Sequence, residues 1–285
     1  MYEIPTAAQL DALPTLKKSP RMPVLFVGHG SPMNAIEDNL YRQSWQAMGA
    51  ELLAREQAPQ LILCISAHWL TQGWWLTGTA QPRTLHDFGG FPQALFDQQY
   101  PAPGAPEAAR LMSLLVRQRG SMPLGLENGQ WGLDHGTWSV LKPMFPLATI
   151  PVIQLSMDYS RSPHEHFALA QQLKALRHRG VLIVASGNMV HNLHALRMGS
   201  GRDQTYDWAR EFDSVVAENI GQGRLKNLPD FMKMGEVAKM AHPSHEHFLP
   251  LLYAAASVEP SEETRFFSEG FQAASISMRS VAWGM

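Results

Sequence analysis

The 285-residue sequence has one cysteine, so no disulfide can form within the chain, and the pattern fits a reducing compartment. That residue, Cys64, follows Leu61-Ile62-Leu63 in an apolar run and reads as a small core side chain. Charge is scarce as well. Lysine and arginine number 23 against 25 aspartates and glutamates, a formal balance of −2, which removes the electrostatic case for nucleic acid or an anionic membrane as partner. No apolar run approaches the roughly 18 residues of a membrane span. Residues 1–20 carry no apolar stretch of signal-peptide length, so a cytoplasmic protein is expected. Repeats, low-complexity tracts and linkers are also missing. That leaves one domain over residues 22–285 behind an N-terminal extension, residues 1–21.

What is present is a chain 45% hydrophobic, enough to bury a sizeable core. Short apolar runs predict buried strands at Met22–Gly28, Gln60–Ala67, Ile150–Met157 and Val181–Ser186. Trp74–Thr79 reads as a further short strand, and Thr84–Pro92 as an ordered loop. Helical spacing and capping residues predict helices over Asn39–Gln57, Pro106–Arg119, Ser162–Arg179, Asp203–Gly221 and Glu246–Ala256. The tail, Arg265–Trp283, reads as a hairpin or a pair of strands. Strands alternating with helices predict an α/β fold, a single domain with a central, mostly parallel or mixed sheet flanked by helices.

Of the 12 histidines, His29, His68 and His191 stand where an apolar run stops. Ligands of open α/β sheets gather outside the carboxyl ends of the strands, and neutral imidazole is the commonest protein metal ligand. Gly28-His29-Gly30-Ser31-Pro32 lacks the lysine and spacing of a phosphate-binding P-loop, leaving metal or substrate contact against a plain structural turn. His68, in Ser66-Ala67-His68-Trp69, alone reads as a core histidine; beside His29 it becomes a second ligand. Gly187-Asn188-Met189-Val190-His191-Asn192 puts His191 in the first turn of a short helix. There the positive helix end keeps an imidazole neutral and suited to general-base work, with capping or packing as the alternative. The segment Ala241–Pro250 holds His242, His245, Glu246 and His247. It offers a ligand in several ways but lacks HExxH spacing, and His242 and His245 read as bystanders. His86-Asp87-Phe88-Gly89-Gly90-Phe91 and Trp131–Gly136, which contains His135, read as substrate walls, with ordinary packing as the alternative and the better reading for the aromatics alone. His164, His166 and His178 read as solvated.

Taken in order, Gly28–Pro32, Ser66–Trp69, His86–Pro92, Asp134–Gly136, Ser186–Leu193 and Glu246–Tyr253 resemble the motifs of the class III extradiol ring-cleavage dioxygenases. Within that LigB superfamily the sequence is most similar to the DOPA 4,5-dioxygenase-like branch, from about Met22 to the C-terminus. The resemblance implies a mononuclear non-haem Fe(II), with Zn(II) often in its place. By motif, His29, His68 and His247 match the metal ligands, His191 the catalytic acid/base, and His135 a second active-site histidine. It further implies a catechol-type substrate and O2, both oxygen atoms entering the ring as it opens to a semialdehyde. The loop bearing His86, Asp87, Phe88 and Phe91 would clamp the ring. More distant class III enzymes use two histidines and a glutamate, so Glu246 stands beside His247 as an alternative third ligand. A three-histidine site also suits zinc. A zinc hydrolase, or a non-catalytic metal-binding protein of the same fold, stays open.

Overall fold

The computed structural model describes residues 4–11, 16–197, 199 and 204–285. Its first half runs α1 (Ala7–Asp11), β1 (Val24–Gly28), α2 (Leu40–Leu53), β2 (Leu61–Thr71), β3 (Trp75–Thr77), α3 (Gln93–Phe96), α4 (Pro106–Leu115), β4 (Gly125–Glu127) and α5 (His135–Met144). Then follow β5 (Val152–Asp158), α6 (Pro163–Ala170), β6 (Val181–Gly187), α7 (Asp207–Gly221), α8 (Glu236–Ala241), α9 (Leu249–Ala256), β7 (Thr264–Ser268), β8 (Phe271–Gln272), β9 (Ile276–Ser277) and β10 (Ser280–Trp283).

The predicted apolar runs form the middle of an eight-stranded sheet in the order β4-β3-β5-β2-β6-β1-β10-β7. Strands β5, β2, β6 and β1 pair in parallel, while β3 and β10 flank them antiparallel. The single α/β domain with a mixed, mostly parallel central sheet is thus the observed architecture. Residues of β1, β5 and β6 are buried throughout, as parallel strands between two helical layers must be. Alternate residues of β2 serve opposite layers. Leu61, Leu63 and Ile65 pack with α4, α6, α7 and α9, and Ile62 and Cys64 with α2 and α5.

The helix predicted at Ser162–Arg179 starts on a capping box, Ser162 with Glu165, but tightens to 3-10 geometry from Gln171 before Gly180 ends it at φ +70°. That predicted at Pro106–Arg119 ends at Leu115, because Val116 turns extended and buries its side chain in the core. The late helix starts at Leu249 rather than Glu246, since residues 246–248 form the turn that leads into it. Asp203, the predicted start of the preceding helix, lies outside the described residues; α7 begins at Asp207. In the tail, β7 and β10 pair antiparallel with the small β8–β9 ribbon between them. Among the described residues, no helix is long and apolar enough to cross a membrane.

Candidate active site

The carboxyl ends of β1 and β6 and a bulge within β2, neighbours in the sheet, each deliver a histidine segment to one place. His29 directly follows β1. Its backbone N–H donates to Gly187 O at 3.0 Å and its carbonyl accepts from Asn34 Nδ2 at 3.0 Å, so the segment is held at both groups. Its ring Nδ1 lies 3.0 Å from Ser186 Oγ, and the Ser186 hydroxyl donates its own hydrogen to Gly136 O at 2.5 Å. That hydroxyl can therefore only accept from the ring. Nδ1 carries the proton, and Nε2 is a bare lone pair.

His68 is not at a strand's end, as the sequence suggested. Strand β2 runs on to Thr71 through an irregularity in which Ser66–Trp69 lie opposite the single residue Ser156 of β5. The bulge re-aims His68 across the sheet edge, with its backbone N–H donating to Ser66 Oγ at 3.2 Å. Its Nε2 comes to 3.3 Å from His29 Nε2.

The turn before α9 brings in His247. Its carbonyl accepts from Asn188 N at 2.9 Å and presses so close to Gly187 that a Cβ there would lie 2.2 Å from the oxygen. Only glycine admits that approach. The Nδ1 of His247 lies 3.0 Å from Glu246 Oε1, which leaves Nε2 bare here too. The ring centroids of His29, His68 and His247 are 5.0–5.3 Å apart, and one nitrogen from each lies within 4.8 Å of the others.

Two further imidazoles stack on this triangle. His191 lies parallel to His247 at 3.4 Å between ring centres, its backbone N–H donating to Ala241 O at 2.9 Å. His135, the first residue of α5, lies 3.8 Å from His68. Asp134 caps that helix by accepting from Thr137 N at 3.0 Å. Asp87 accepts from the His135 backbone N–H at 2.8 Å.

Burial, reinforced by neighbouring imidazoles, holds His29 and His247 well below the ordinary histidine pKa. Burial also takes His68 down to about 3, against the opposing pull of Asp87, and His191 to about 4, against that of Glu246. The sequence reading placed His191 in a helix's first turn. Instead it precedes Asn192, which caps a 3-10 turn over Leu193–Ala195, so burial rather than a helix end keeps it neutral. All four rings are in the unprotonated state that coordination and base catalysis both require.

The remaining candidates separate. Phe88 lies 5.5 Å from His135, and Phe91 packs on Phe88 at 5.3 Å. His86 is turned into the loop, its Nε2 at Gln98 O (2.9 Å) and its ring against Phe88 and Trp138, so it lies behind the wall. His242 is buried among Phe212, Phe231 and Phe248 and bonded to Met189 O, and His245 stacks on Tyr159. Exposed His164 and His178 pair with Asp230 and Glu259. His166 corrects the expectation of a solvated residue. It is fully buried, its Nδ1 2.7 Å from the Tyr253 hydroxyl.

Sequence reasoning missed Ser66, Asp134 and Ser186, although each lies within two residues of a motif histidine or of its glycine. Asp134 is completely buried, and burial followed by the Asp87 charge raises its pKa to about 6. Its local signal was an aspartate directly before the first residue of a helix.

Comparison with known proteins places this geometry in context. The family described as "Catalytic LigB subunit of aromatic ring-opening dioxygenase" matches residues 23–282. A protein of Escherichia coli (strain K12) named "4,5-DOPA dioxygenase extradiol" is 44% identical over 272 residues, covering 94% of this chain and 97% of its own. A protein of the same name from Beta vulgaris is 35% identical, covering 79% and 83%. A crystal structure of an uncharacterized Escherichia coli K12 protein superposes with a TM-score of 0.76 at 38% identity, over 92% of this chain and 99% of its own.

Proposed function

The chain belongs to the LigB family of aromatic ring-opening dioxygenases, and from that premise we propose that it is an Fe(II)-dependent enzyme opening a catechol ring in the manner of a DOPA 4,5-dioxygenase. As an extradiol dioxygenase it takes a small aromatic substrate and O2. Residues 22–285 form the catalytic domain in this reading, behind residues 1–21, and the buried lone thiol of Cys64 suits a reducing cytoplasm.

The observation that carries the reading is the convergence of bare imidazole nitrogens. His29 Nε2 is a bare lone pair with His68 Nε2 3.3 Å away, so either His68 donates its proton there or a cation lies between two lone pairs. Nitrogens each bound at about 2.0–2.1 Å to one tetrahedral ion lie about 3.3–3.4 Å apart. His29, His68 and His247 fit such an ion, and Ser186 and Glu246 orient the rings of His29 and His247 from behind. Glu246 therefore braces His247 rather than replacing it. Zn(II) suits the same three nitrogens. Fe(II) held by these three histidines would acidify the catechol hydroxyls and supply the one-electron chemistry that O2 requires.

The protein handles the protons. His191, neutral and stacked on His247, takes the second hydroxyl proton of the catechol and returns it to an oxygen of the product as the ring opens. His135 hydrogen-bonds the substrate hydroxyl or the incoming oxygen. Phe88 and Phe91 wall the ring plane and exclude water. His86 supports that wall from behind, and Asp87 lies at its inner edge.

Reconstitution with Fe(II) without air, addition of L-DOPA, then admission of O2 is the test. A yellow semialdehyde chromophore appearing with oxygen uptake is expected. Oxygen-independent hydrolysis of an ester or amide overturns the reading in favour of a zinc hydrolase. Metal binding with neither activity overturns it in favour of a non-catalytic protein.

A further inference from the structure

Asp87 stands at the inner edge of the aromatic loop, and its carboxylate faces His135 most closely, with His68 as a more distant neighbour. Oδ1 accepts from the backbone N–H of His135 at 2.8 Å, while Oδ2 lies 3.0 Å from Nδ1 of the same residue's ring. The backbone N–H is one of the orphan donors at the start of α5. Asp134 already satisfies the donor two residues on, Thr137 N, so the two carboxylates share the helix end. Bridging a residue's own backbone to its ring restricts both side-chain torsions at once. The ring contact is a close charge contact rather than an aligned hydrogen bond: His135 Nδ1 is buried and has no partner in hydrogen-bond geometry, and Oδ2 at 3.0 Å is the carboxylate oxygen that faces it. Oδ2 also lies 3.9 Å from His68 Nδ1, between two rings whose centres are 3.8 Å apart.

From this geometry we propose that Asp87 is a positioning residue, one that fixes the ring orientation and the tautomer of His135. A carboxylate oxygen facing Nδ1 requires the proton to be there, because two lone pairs at that distance repel. Nε2 of His135 is then the bare nitrogen, an acceptor on the ring edge away from Asp87. The proposal builds on the role given to His135 above, and it replaces substrate contact as the work of Asp87. Its logic is that of a carboxylate setting the tautomer of a neighbouring proton-handling histidine, here with an exposed Asp87 facing the buried His135 ring.

The Asp87→Asn variant tests it. The carboxamide oxygen keeps the backbone N–H, and the amide N–H2 now faces Nδ1, which must accept. Imidazole carbon and nitrogen chemical shifts of zinc-loaded protein, with His135→Ala as the assignment control, are expected to show Nδ1–H in the wild type and Nε2–H in Asp87→Asn, at equal zinc content. In the Fe(II) form kcat is expected to fall roughly 10- to 1,000-fold with KM within about threefold. Asp87→Asn should add nothing further in a His135→Ala background. Persistence of the Nδ1–H tautomer in Asp87→Asn, or an undiminished second loss in that background, overturns the proposal. Should the Asn variant fail to fold, Asp87→Glu carries the test: Nδ1–H is expected there, and Nε2–H overturns it. A tautomer switch in a protein inactive toward every catechol supports the positioning role while sinking the dioxygenase reading.

Discussion

Each braced imidazole of the cluster has one nitrogen committed to the protein, and that commitment decides which nitrogen is left. His29 gives Nδ1 to Ser186 and His247 gives Nδ1 to Glu246, so a ligand meets Nε2 in both. Removing a brace differs from removing a ligand. Glu246→Gln is expected to weaken zinc binding by about 10- to 100-fold, while His29→Ala, His68→Ala and His247→Ala lose the metal from purified protein. Competition against a chelator reads both effects, and a glutamate that ligates in place of His247 would reverse their order. His191→Ala is expected to keep its metal and lose turnover; an intact kcat would sink the acid/base role. His29, His68 and His191 were legible because an apolar run stops at or just before each, whereas His247 was matched only through the family resemblance. Their braces were not. Ser66 and Ser186 are ordinary strand residues until the sheet order brings β6 beside β1 and β2.

At the level of elements, the informative departure is β2. Its apolar run does end before His68, and the sequence reading ended the strand with it. The backbone ladder does not depend on apolar side chains, however, and pairing with β5 resumes at Leu70–Met157 once the bulge is passed. A bulge leaves no hydropathy signature, which is why it was not foreseen. The glycine that ends β6 is the counterpart of that device. Gly187 lets the carbonyl of His247 seat against the strand end, joining the late turn to the parallel sheet although 60 residues separate them in sequence (187 to 247). Gly187→Ala puts a methyl group 2.2 Å from that oxygen, and the oxygen belongs to backbone that cannot swing aside. Overpacking of this kind costs about 1–3 kcal/mol, which lowers Tm by roughly 2–4 °C per kcal/mol in a domain of this size. The displaced turn should also weaken zinc binding at least about tenfold. Unchanged Tm and zinc affinity in Gly187→Ala would show that the turn is not seated by this contact.

For the whole molecule, a consequence follows from how many neutral imidazoles the fold encloses. Burial pushes His29, His68, His166, His191, His242 and His247 below the ordinary histidine value, His166 and His191 to about 4 and His68 and His242 to about 3. In the unfolded chain each titrates near 6.5. Between about pH 6.5 and the lower folded values the unfolded state therefore binds more protons, so stability is complete above that window and is lost as pH falls through it. Each fully titrating imidazole adds at most about 1.4 kcal/mol per pH unit. Metal-free protein should accordingly show a urea midpoint that drops from pH 7 to pH 5, with proton uptake on unfolding. Zinc opposes the drop by binding only the folded state. His166 separates the two contributions, because it sits against Tyr253 and Trp74 outside the His29–His68–His247 cluster. His166→Gln should reduce the proton uptake by about one without changing zinc affinity. A urea midpoint that stays level from pH 7 to pH 5 in the metal-free protein would mean that these imidazoles are not held neutral by the fold.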